Sequence, residues 1–279
     1  MRYPVSMLLF LSLVGALLGC SPNKSRISLF NGRDLTGWDT YIGPEYDSLT
    51  NTWGNIPTGL NLDPQQVFSV TEVDGEPALR ISGARFGGIS TLQEFENYHL
   101  RLEFKWGKEK HAPKLNDKRD SGLLYHAVGA HGADYGFWMR SQEFQIQEGD
   151  CGDYWGVAGG SFEVTAIKKD SGVYVYDPSG TPMLFNEKSE HGRRCIKNPD
   201  AEKPSGEWNV AELYVLGDSA VHVMNGTVVM VLIHSRQLEN ETLIPLTKGK
   251  IQLQSEGAEI FYRNIALQKI NKIPAALGI

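Results

Sequence analysis

The sequence predicts an all-β protein, a jelly roll in which two antiparallel sheets pack face to face. After residue 26, most segments alternate polar and apolar side chains or are rich in β-branched and aromatic residues, as strands are. No long segment repeats its apolar side chains at the 3.6-residue period of a helix. About a dozen antiparallel strands in roughly 250 residues fit one double-sheet sandwich, which we expect as a single domain over residues 27–272.

Turn signals separate the predicted strands. In chain order, the strand segments are QVFSVTEV, PALRIS, GGISTL, YHLRLEFKW, SGLLYHA, QEFQIQ, SFEVTAI, EWNVAELYVLG, AVHVMNG, TVVMVLI, GKIQLQSE and AEIFYRNIALQKI. Asn225 and Gly226 favour a type I′ hairpin, because both turn residues need a positive φ. Residues 39–64 and 177–206 interrupt the strand rhythm with Gly, Pro and polar residues, and long loops of this kind commonly cover a site. The charged run at 108–119 is expected to be a solvated loop.

The first residues are typical of an export signal. One arginine precedes an apolar run at residues 7–18, which is too short to span a bilayer comfortably. The run ends in the letters LLGC, which resemble a bacterial lipobox; an ordinary signal peptide with a chance cysteine is the alternative. We therefore expect a signal peptide over residues 1–19, lipidation of Cys20, and a tether over residues 20–26. This would place the protein in the periplasm or at the cell surface, anchored by lipid to a bacterial membrane.

Charge and cysteine content narrow the classes of partner. The chain has 27 Lys and Arg against 33 Asp and Glu, a formal net charge of -6, and no dense basic patch. Phosphate backbones require concentrated positive charge, so nucleic acid is not an expected partner. Two further cysteines, Cys151 and Cys195, follow Cys20. Export places them in an oxidising compartment, where a disulfide between them is favoured over two unpaired thiols.

One strand aligns long polar side chains and then enters an acidic, aromatic loop. Glu143, Gln145 and Gln147 alternate with apolar residues, so their side chains share one face. Such a face can line the concave groove of a curved sandwich; a solvent-exposed strand face is the alternative. In DSGLLYH, alternation puts His126 on the face of Asp120, and this strand is expected to bring His126 beside Glu143. A histidine–carboxylate pair suits a metal site or general base catalysis; the alternative is a structural histidine.

Several motifs in the same order resemble those of a known family. They are SLFNGRDLTGWDTY, DSGLLYH, EFQIQEGD, GEWNVAELYVLGDSAVHVMNGTVV and GKIQLQSEGAEIFYRNIALQKI, which together span residues 28–270. The chain resembles the 3-keto-disaccharide hydrolases, a family formerly described as a domain of unknown function. The resemblance implies a concanavalin-like β-sandwich that acts on carbohydrates oxidised to a ketone at C3. The sequence departs from the family pattern at two positions, since Asp120 stands where asparagine is usual and Glu256 where histidine is frequent.

The resemblance implies cleavage of 3-keto-glycosides by β-elimination, with or without rehydration. A ketone at C3 acidifies the proton on C2, and removal of this proton gives an enolate that expels the C1 group. The site must then supply a base, an electrophile for the enolate oxygen and an acid for the leaving oxygen. One divalent metal ion of unspecified identity would serve as the electrophile. A sugar 3-dehydrogenase would work with this protein by supplying the oxidised substrate.

We assign candidate roles to residues on these grounds. The predicted catalytic residues are His126, Glu143 and Glu148, with His126 and Glu143 also predicted to bind the metal. The predicted substrate-binding residues are Arg140, Gln145, Gln147, Asp150, Trp155 and Glu256. Aromatic residues near this strand, some of which are expected to stack on sugar faces, are Tyr135, Phe137, Trp138 and Tyr154. Arg263 in FYRN is expected to support the groove from the last strand.

Two other functions fit the same residues. A carbohydrate-binding module or lectin can have the same fold without any chemistry. A conventional glycosidase needs two carboxyl groups across the scissile bond, and Glu143 with Glu148 or Asp150 would supply them. The cluster of His126, Glu143 and Gln145 favours the lyase or hydrolase, because a binding groove more often combines stacked aromatic rings with amides.

Overall fold

Two antiparallel sheets form the protein. The computed structural model describes residues 26–278, and these residues confirm the predicted all-β class and two-sheet architecture. The predicted signal peptide, the lipidation site Cys20 and all but the last residue of the predicted tether lie outside the described residues. No helix within residues 26–278 is both long enough and apolar enough to cross a membrane.

The described chain contains twenty strands and one short 3₁₀ helix at Ala275–Leu277. In chain order the strands are β1 (Ile27–Ser28), β2 (Trp38–Asp47), β3 (Thr52–Leu60), β4 (Phe68–Val73), β5 (Glu76–Ile81), β6 (Gly87–Thr91), β7 (Tyr98–Lys110), β8 (Asp120–Val128), β9 (Arg140–Gln147), β10 (Tyr154–Val157), β11 (Gly160–Lys168), β12 (Tyr174–Tyr176), β13 (Thr181–Phe185), β14 (Arg194–Cys195), β15 (Asn209–Leu216), β16 (Ser219–Met224), β17 (Thr227–Glu239), β18 (Thr242–Pro245), β19 (Lys250–Ser255) and β20 (Ala258–Lys269).

The strands divide into a larger and a smaller sheet. The smaller one, which we call the site sheet, has eight strands in the order β14-β10-β9-β8-β19-β6-β2-β3. The larger one, the back sheet, has twelve strands. Nine of them run in the order β12-β11-β17-β16-β15-β7-β20-β5-β4, while β1 pairs with β20, β13 with β11 and β18 with β17. The hairpin predicted at Asn225 and Gly226 joins β16 to β17, and Asn225 has a φ of 50°.

Apolar side chains on the facing surfaces of the two sheets form the core. On β9, Phe144 and Ile146 are fully buried in this core, and they alternate with Glu143 and Gln145. From the back sheet, Phe104 belongs to the same cluster. Truncating a buried phenylalanine of this kind to alanine costs about 3–5 kcal/mol, so the apolar face of β9 is held firmly. The polar face of β9 is therefore fixed on the opposite side of the site sheet.

The expectation that residues 39–64 interrupt the strands is wrong. Strands β2 and β3 form a hairpin there, in which Tyr41 pairs with Leu60 and Pro44 with Pro57. β3 is the last strand of the site sheet, and a sheet edge tolerates proline because one row of backbone groups needs no partner. Residues 177–206 contain only the short strands β13 and β14 and are otherwise irregular, as expected.

The predicted disulfide between Cys151 and Cys195 is not formed, and the structure has both as free, buried thiols. Each thiol has its own backbone acceptor: Cys151 donates to the carbonyl of Gln147 at 3.3 Å, and Cys195 to that of Ile196 at 3.9 Å. Burial raises the pKa of both thiols above their usual value. Buried thiols with raised pKa values are unreactive side chains of the core.

Candidate active site

A polar cavity of about 240 Å³ opens on the outer face of the site sheet, over β8, β9 and β19. It is lined by Lys114, Asp120, Asp134, Trp138, Glu143, Gln145, Gln147, Trp155, Val157, Arg193, Gln254 and Glu256. The three long polar side chains predicted to share one face of β9 therefore line one cavity. We call this space the polar cavity.

Strand register brings the central residues of the polar cavity together. Glu143 on β9 pairs with Trp155 on β10 on one side and with Leu124 on β8 on the other. Gln145 on β9 pairs with Gly122 on β8. A Cβ at Gly122 would lie 2.2 Å from Glu143 Oε1 and 2.4 Å from Gln254 Oε1. Because glycine has no side chain, both of these oxygens can lie directly above the β8 backbone.

Glu143 is a buried carboxyl group without a local partner. It exposes only 5 % of its surface, and no side chain or backbone group in residues 26–278 donates a hydrogen bond to it. Burial, together with the nearby charges of Glu256 and Asp120, raises the pKa of Glu143 well above its ordinary value, although Arg193 opposes the rise. A carboxyl group of this kind is a stronger proton acceptor than an exposed one once it is ionised.

Lys114 connects two acids across the polar cavity. Its ammonium lies 2.5 Å from Asp120 Oδ2 and also donates to Glu256 Oε1. Gln147 Nε2 donates to the same Asp120 oxygen at 2.5 Å. Burial and repulsion by Asp120 raise the pKa of Glu256, although Lys114 opposes this. Lys114 thus links the two positions at which the sequence departs from the family pattern.

Arg193 forms the opposite wall of the polar cavity. Its Nη1 donates to Asp134 at 3.2 Å, and its guanidinium lies 5.3 Å from the centre of the Trp155 ring. Arg194 lies over the same ring at 5.4 Å and is fixed by Asp153 at 2.6 Å. The indole nitrogen of Trp155 is buried and has no hydrogen-bond partner in the described part of the chain.

The charges of the polar cavity do not balance. Its acids are Asp120, Asp134, Glu143 and Glu256, and its cations are Lys114 and Arg193. Four carboxyl groups against two cations leave an excess of negative charge, and all four carboxyl side chains are largely buried. Under these conditions some carboxyl groups retain a proton at neutral pH, because full ionisation is disfavoured both by burial and by mutual repulsion. The cavity can therefore hold a carboxylic acid and a carboxylate at the same time.

His126 does not line the polar cavity, which corrects the expectation that it lies beside Glu143. The register of β8 against β9 shifts between Tyr125 and Val128, and His126 has a φ of 52°. This bulge breaks the alternation on which the prediction depended. His126 is 1 % exposed, and its ring lies 5.5 Å from the ring of Tyr125, a core residue. Burial lowers the pKa of His126 to about 4, so the imidazole is neutral.

Three other predicted site residues lie outside the polar cavity. Arg140 donates to the carbonyl of Ala158 at 2.8 Å and lines a different surface depression. Glu148 accepts from Arg119 at 2.8 Å. Asp150 pairs with Lys118 at 2.7 Å and with Arg194 at 3.4 Å.

These placements change two of the predictions. Neither Glu148 nor Asp150 is the second carboxyl group beside Glu143; Glu256 is a carboxyl group in the same cavity. Arg263 does not support the groove, because it pairs with Glu103 on the back sheet at 2.7 Å. The predicted substrate-binding residues Gln145, Gln147, Trp155 and Glu256 all line the polar cavity.

Sequence reasoning missed five residues of the polar cavity, namely Lys114, Asp134, Val157, Arg193 and Gln254. Lys114 comes from the charged run that we expected to be solvated. Arg193 lies in the irregular stretch at 177–206, whose composition did indicate a covering loop. Gln254 precedes Glu256 by two residues in LQSE, so alternation places both on one face and could have identified it.

A bound metal ion fits these side chains poorly. Within residues 26–278, no group of three or more His, Cys, Asp or Glu side chains is arranged to hold a metal ion. The predicted pair is divided, because only Glu143 reaches the polar cavity. Lys114 already occupies the space between Asp120 and Glu256. The divalent metal stays an untested prediction, and no step proposed below passes through it.

A family model matches nearly all of the described chain. It is described as the 3-keto-alpha-glucoside-1,2-lyase-like domain, and it matches residues 25–268. Comparison with curated protein sequences gives no significant match.

Several solved structures are similar to the chain. A candidate glycosyl hydrolase from Parabacteroides distasonis ATCC 8503 is 17% identical, covers 88% of this chain and 94% of its own, and has a TM-score of 0.49. A second candidate glycosyl hydrolase from the same organism is 20% identical, with coverages of 72% and 90% and a TM-score of 0.42. The carbohydrate-binding module CBM66 from Bacillus subtilis is 8% identical, with coverages of 72% and 91% and a TM-score of 0.42.

Proposed function

The chain belongs to the 3-keto-alpha-glucoside-1,2-lyase-like family, and we propose that its polar cavity cleaves 3-keto-glycosides by β-elimination. One observation carries this proposal: Glu143 is a buried carboxyl group with a raised pKa and no hydrogen-bond partner in residues 26–278, and it lines a cavity that also offers cations. Structural carboxyl groups in a fold are normally paired or hydrogen-bonded. An unpaired one in a cavity is a candidate for proton transfer with a ligand.

Glu143 is the proposed base. Ionised Glu143 removes the proton from C2, which the neighbouring C3 ketone has made acidic. The electron pair of the C2–H bond becomes the enolate, and then the C1=C2 double bond as the C1–O bond breaks. The C2 proton ends on Glu143, and the leaving oxygen carries away the electron pair of the broken bond. Gln145, which exposes 6 % of its surface, lines the same cavity and would orient the sugar ring.

Lys114 and Arg193 supply the electrophile in this proposal. An ammonium group has three donors, and two of those of Lys114 are used by Asp120 and Glu256, so one is left for a substrate oxygen. A fixed cation in a partly dry cavity stabilises a developing enolate without reorganising during the reaction. The guanidinium of Arg193, held by Asp134 and Trp155, faces the same cavity.

Glu256 is the proposed acid for the leaving group. Its raised pKa keeps a proton available, and it lines the polar cavity on the side of an adjoining aromatic cavity. It would donate this proton to the C1 oxygen as the bond breaks. The product of elimination is an unsaturated 3-keto sugar; addition of water across its double bond would complete a net hydrolysis.

The cellular setting is also a proposal. A ketone at C3 must be introduced by oxidation of the glycoside, so a sugar 3-dehydrogenase would act before this protein. Lipidation at Cys20, supported by the LLGC sequence, would hold the enzyme at a bacterial membrane, in the periplasm or on the cell surface. Its partner there is the carbohydrate substrate.

A conventional glycosidase is a second candidate, and one observation favours it. Glu143 and Glu256 line the same cavity and are both buried carboxyl groups with raised pKa values. Two carboxyl groups across a glycosidic bond would cleave it without any ketone. The two mechanisms therefore differ in their requirement for oxidation at C3.

One comparison tests both candidates. The purified protein is incubated with a 3-keto-glucoside and, separately, with the unoxidised parent of the same anomer, and release of the aglycone is followed. We expect cleavage of the 3-keto-glucoside alone, and a loss of about 10²-fold or more in Glu143→Gln, the scale of one acid–base group. Cleavage of the parent would establish the glycosidase. Binding without cleavage of either compound would indicate a carbohydrate-binding module.

A further inference from the structure

A second, aromatic cavity of about 410 Å³ adjoins the polar cavity. It is lined by Pro44, Trp53, Gly54, Phe86, Tyr135, Phe137, Trp138, Arg193 and Glu256. Three of these residues, Trp138, Arg193 and Glu256, also line the polar cavity, so the two cavities share part of a wall. Most of the remaining side chains are apolar.

The aromatic rings of this cavity form a fixed cluster. The Trp53 ring lies 4.8 Å from that of Phe86 and 4.7 Å from that of Phe137, and the last two rings are 5.4 Å apart. The interplanar angles of these pairs are 56°, 61° and 64°, within the tilted and edge-to-face range that aromatic pairs prefer. Phe86 and Phe137 expose only 6% and 5% of their surfaces. The cluster is therefore preformed.

The backbone is shaped to hold this cluster. A Cβ at Gly43 on β2 would lie only 2.3 Å from a ring carbon of Phe137. Only glycine leaves enough room for Phe137 to rest on the site sheet. Trp53 comes from β3, the edge strand of the β2–β3 hairpin. This hairpin, which forms where a loop was expected, therefore supplies one wall of the cavity.

The position of Glu256 fixes how a substrate would lie. Glu256 lines both cavities and is the proposed acid for the C1 oxygen, so the scissile bond would lie at the boundary between them. The oxidised sugar then occupies the polar cavity, with Glu143 at C2. The aglycone occupies the aromatic cavity.

We propose that the aromatic cavity is the leaving-group subsite and that it selects a planar aromatic aglycone over a second sugar. This inference rests on the proposed function. A second sugar ring carries several hydroxyl groups that need donors and acceptors, and the charged side chains here, Arg193 and Glu256, are already shared with the polar cavity. A flat apolar ring needs no such partners and can pack edge-to-face against Trp53 and Phe137.

The test compares the benzyl and methyl 3-keto-glucosides of one anomer, because benzyl and methyl alcohols are leaving groups of similar basicity. We expect kcat/KM to be about tenfold higher for the benzyl compound, the gain from one or two aromatic contacts. In Trp53→Leu this preference should fall towards unity. Trp208→Leu is the matched control: Trp208 is also half-buried but stacks on Arg263 of the back sheet, so the preference should stay at the wild-type value.

Each outcome decides the question. A benzyl preference that survives in Trp53→Leu, or a wild-type enzyme that prefers a 3-keto-disaccharide to the benzyl compound, would overturn the subsite assignment while leaving the elimination intact. If none of the 3-keto compounds is cleaved, the proposed function fails, and equilibrium binding of benzyl and methyl glucosides then tests the subsite alone. Tighter binding of the benzyl compound in wild type but not in Trp53→Leu would support it, and equal binding would refute it.

Discussion

Replacing Glu143 by glutamine should stabilise the protein while it removes turnover. Glutamine has nearly the same size and shape as glutamate, and no residue in the described chain donates a hydrogen bond to the Glu143 carboxylate. The replacement thus breaks no local contact. It removes only the requirement to place a negative charge in a buried site that already contains Asp120 and Glu256.

The size of this effect follows from proton linkage. Glu143 titrates near 4.5 when exposed, and its pKa is well above that value in the folded protein, first because of burial and then because of repulsion by Glu256. Between these two pKa values the folded state binds more protons than the unfolded state, so stability falls as pH rises. Each pH unit within this window costs about 1.4 kcal/mol. The cost is absent below the unfolded pKa and complete above the folded one.

Urea denaturation of wild type and Glu143→Gln between about pH 4 and pH 8 measures this directly. The two proteins should have equal stability at the acid end, and the variant should be more stable at the alkaline end by more than about 1 kcal/mol. Glu148→Gln is the matched control. Burial raises the pKa of Glu148, but hydrogen bonds from Arg119 outweigh burial, so the pKa is lowered overall. Glu148→Gln should therefore make the protein less stable at the alkaline end. A Glu143→Gln variant no more stable than wild type at pH 8 would show that the carboxyl group is not held in an unfavourable site.

Four further expectations can be measured, two at the polar cavity and two at the cysteines. The acid limb of the pH profile of kcat/KM should lie well above pH 4.5, because the base Glu143 must lose its proton to act; a limb at 4.5 would assign the base to an exposed carboxyl group. Lys114→Met should lower both turnover and stability near pH 8, because it leaves two buried acids without their cation. The free energy of unfolding should fall by about 3–5 kcal/mol. An unchanged free energy of unfolding at pH 8 would contradict the bridge. Cys151 and Cys195 should resist alkylation in the native protein and both react after unfolding without reductant; thiols that need reductant would restore the disulfide. Cys20→Ser should move the protein from the membrane to the soluble fraction, and unchanged fractionation would argue against lipidation.

The sequence was sufficient for the fold because the signal for strands is local. Alternation of side chains within a strand depends on two-residue geometry, and β9 shows it directly, with Phe144 and Ile146 in the core and Glu143 and Gln145 in the cavity. The same rule fails where the backbone departs from regular geometry. His126 shows this, since a bulge with a positive φ lies at its position, and no sequence pattern near it indicates one.

The loops of the site were harder to predict for a different reason. Lys114 contacts Glu256, a residue 142 positions away, and Arg193 contacts Asp134, 59 positions away. Such contacts depend on how distant strands are arranged, and no periodicity encodes them. Pro44 and Pro57 in the β2–β3 hairpin resemble loop residues for a related reason. Pro57 is acceptable because β3 is the edge of the sheet, and Pro44 is acceptable because it lies beyond Ile42, the last residue of β2 that pairs with β6.

The polar cavity lowers the stability of the fold, and this indicates that the cavity is used. An unpaired buried carboxyl group destabilises the folded state, so a surface shaped for stability alone would hold paired charges or apolar side chains. Here Gly122 has no side chain, which leaves room for the Glu143 carboxyl group. That carboxyl group has no hydrogen-bond donor in the described chain. The burial that makes the charge costly also makes Glu143 a stronger base, so one physical cause both lowers stability and enables proton abstraction. Stability and turnover should therefore change in opposite directions when Glu143 is replaced. They should fall together when Lys114 is replaced, because the bridged acids and the proposed enolate both need its positive charge.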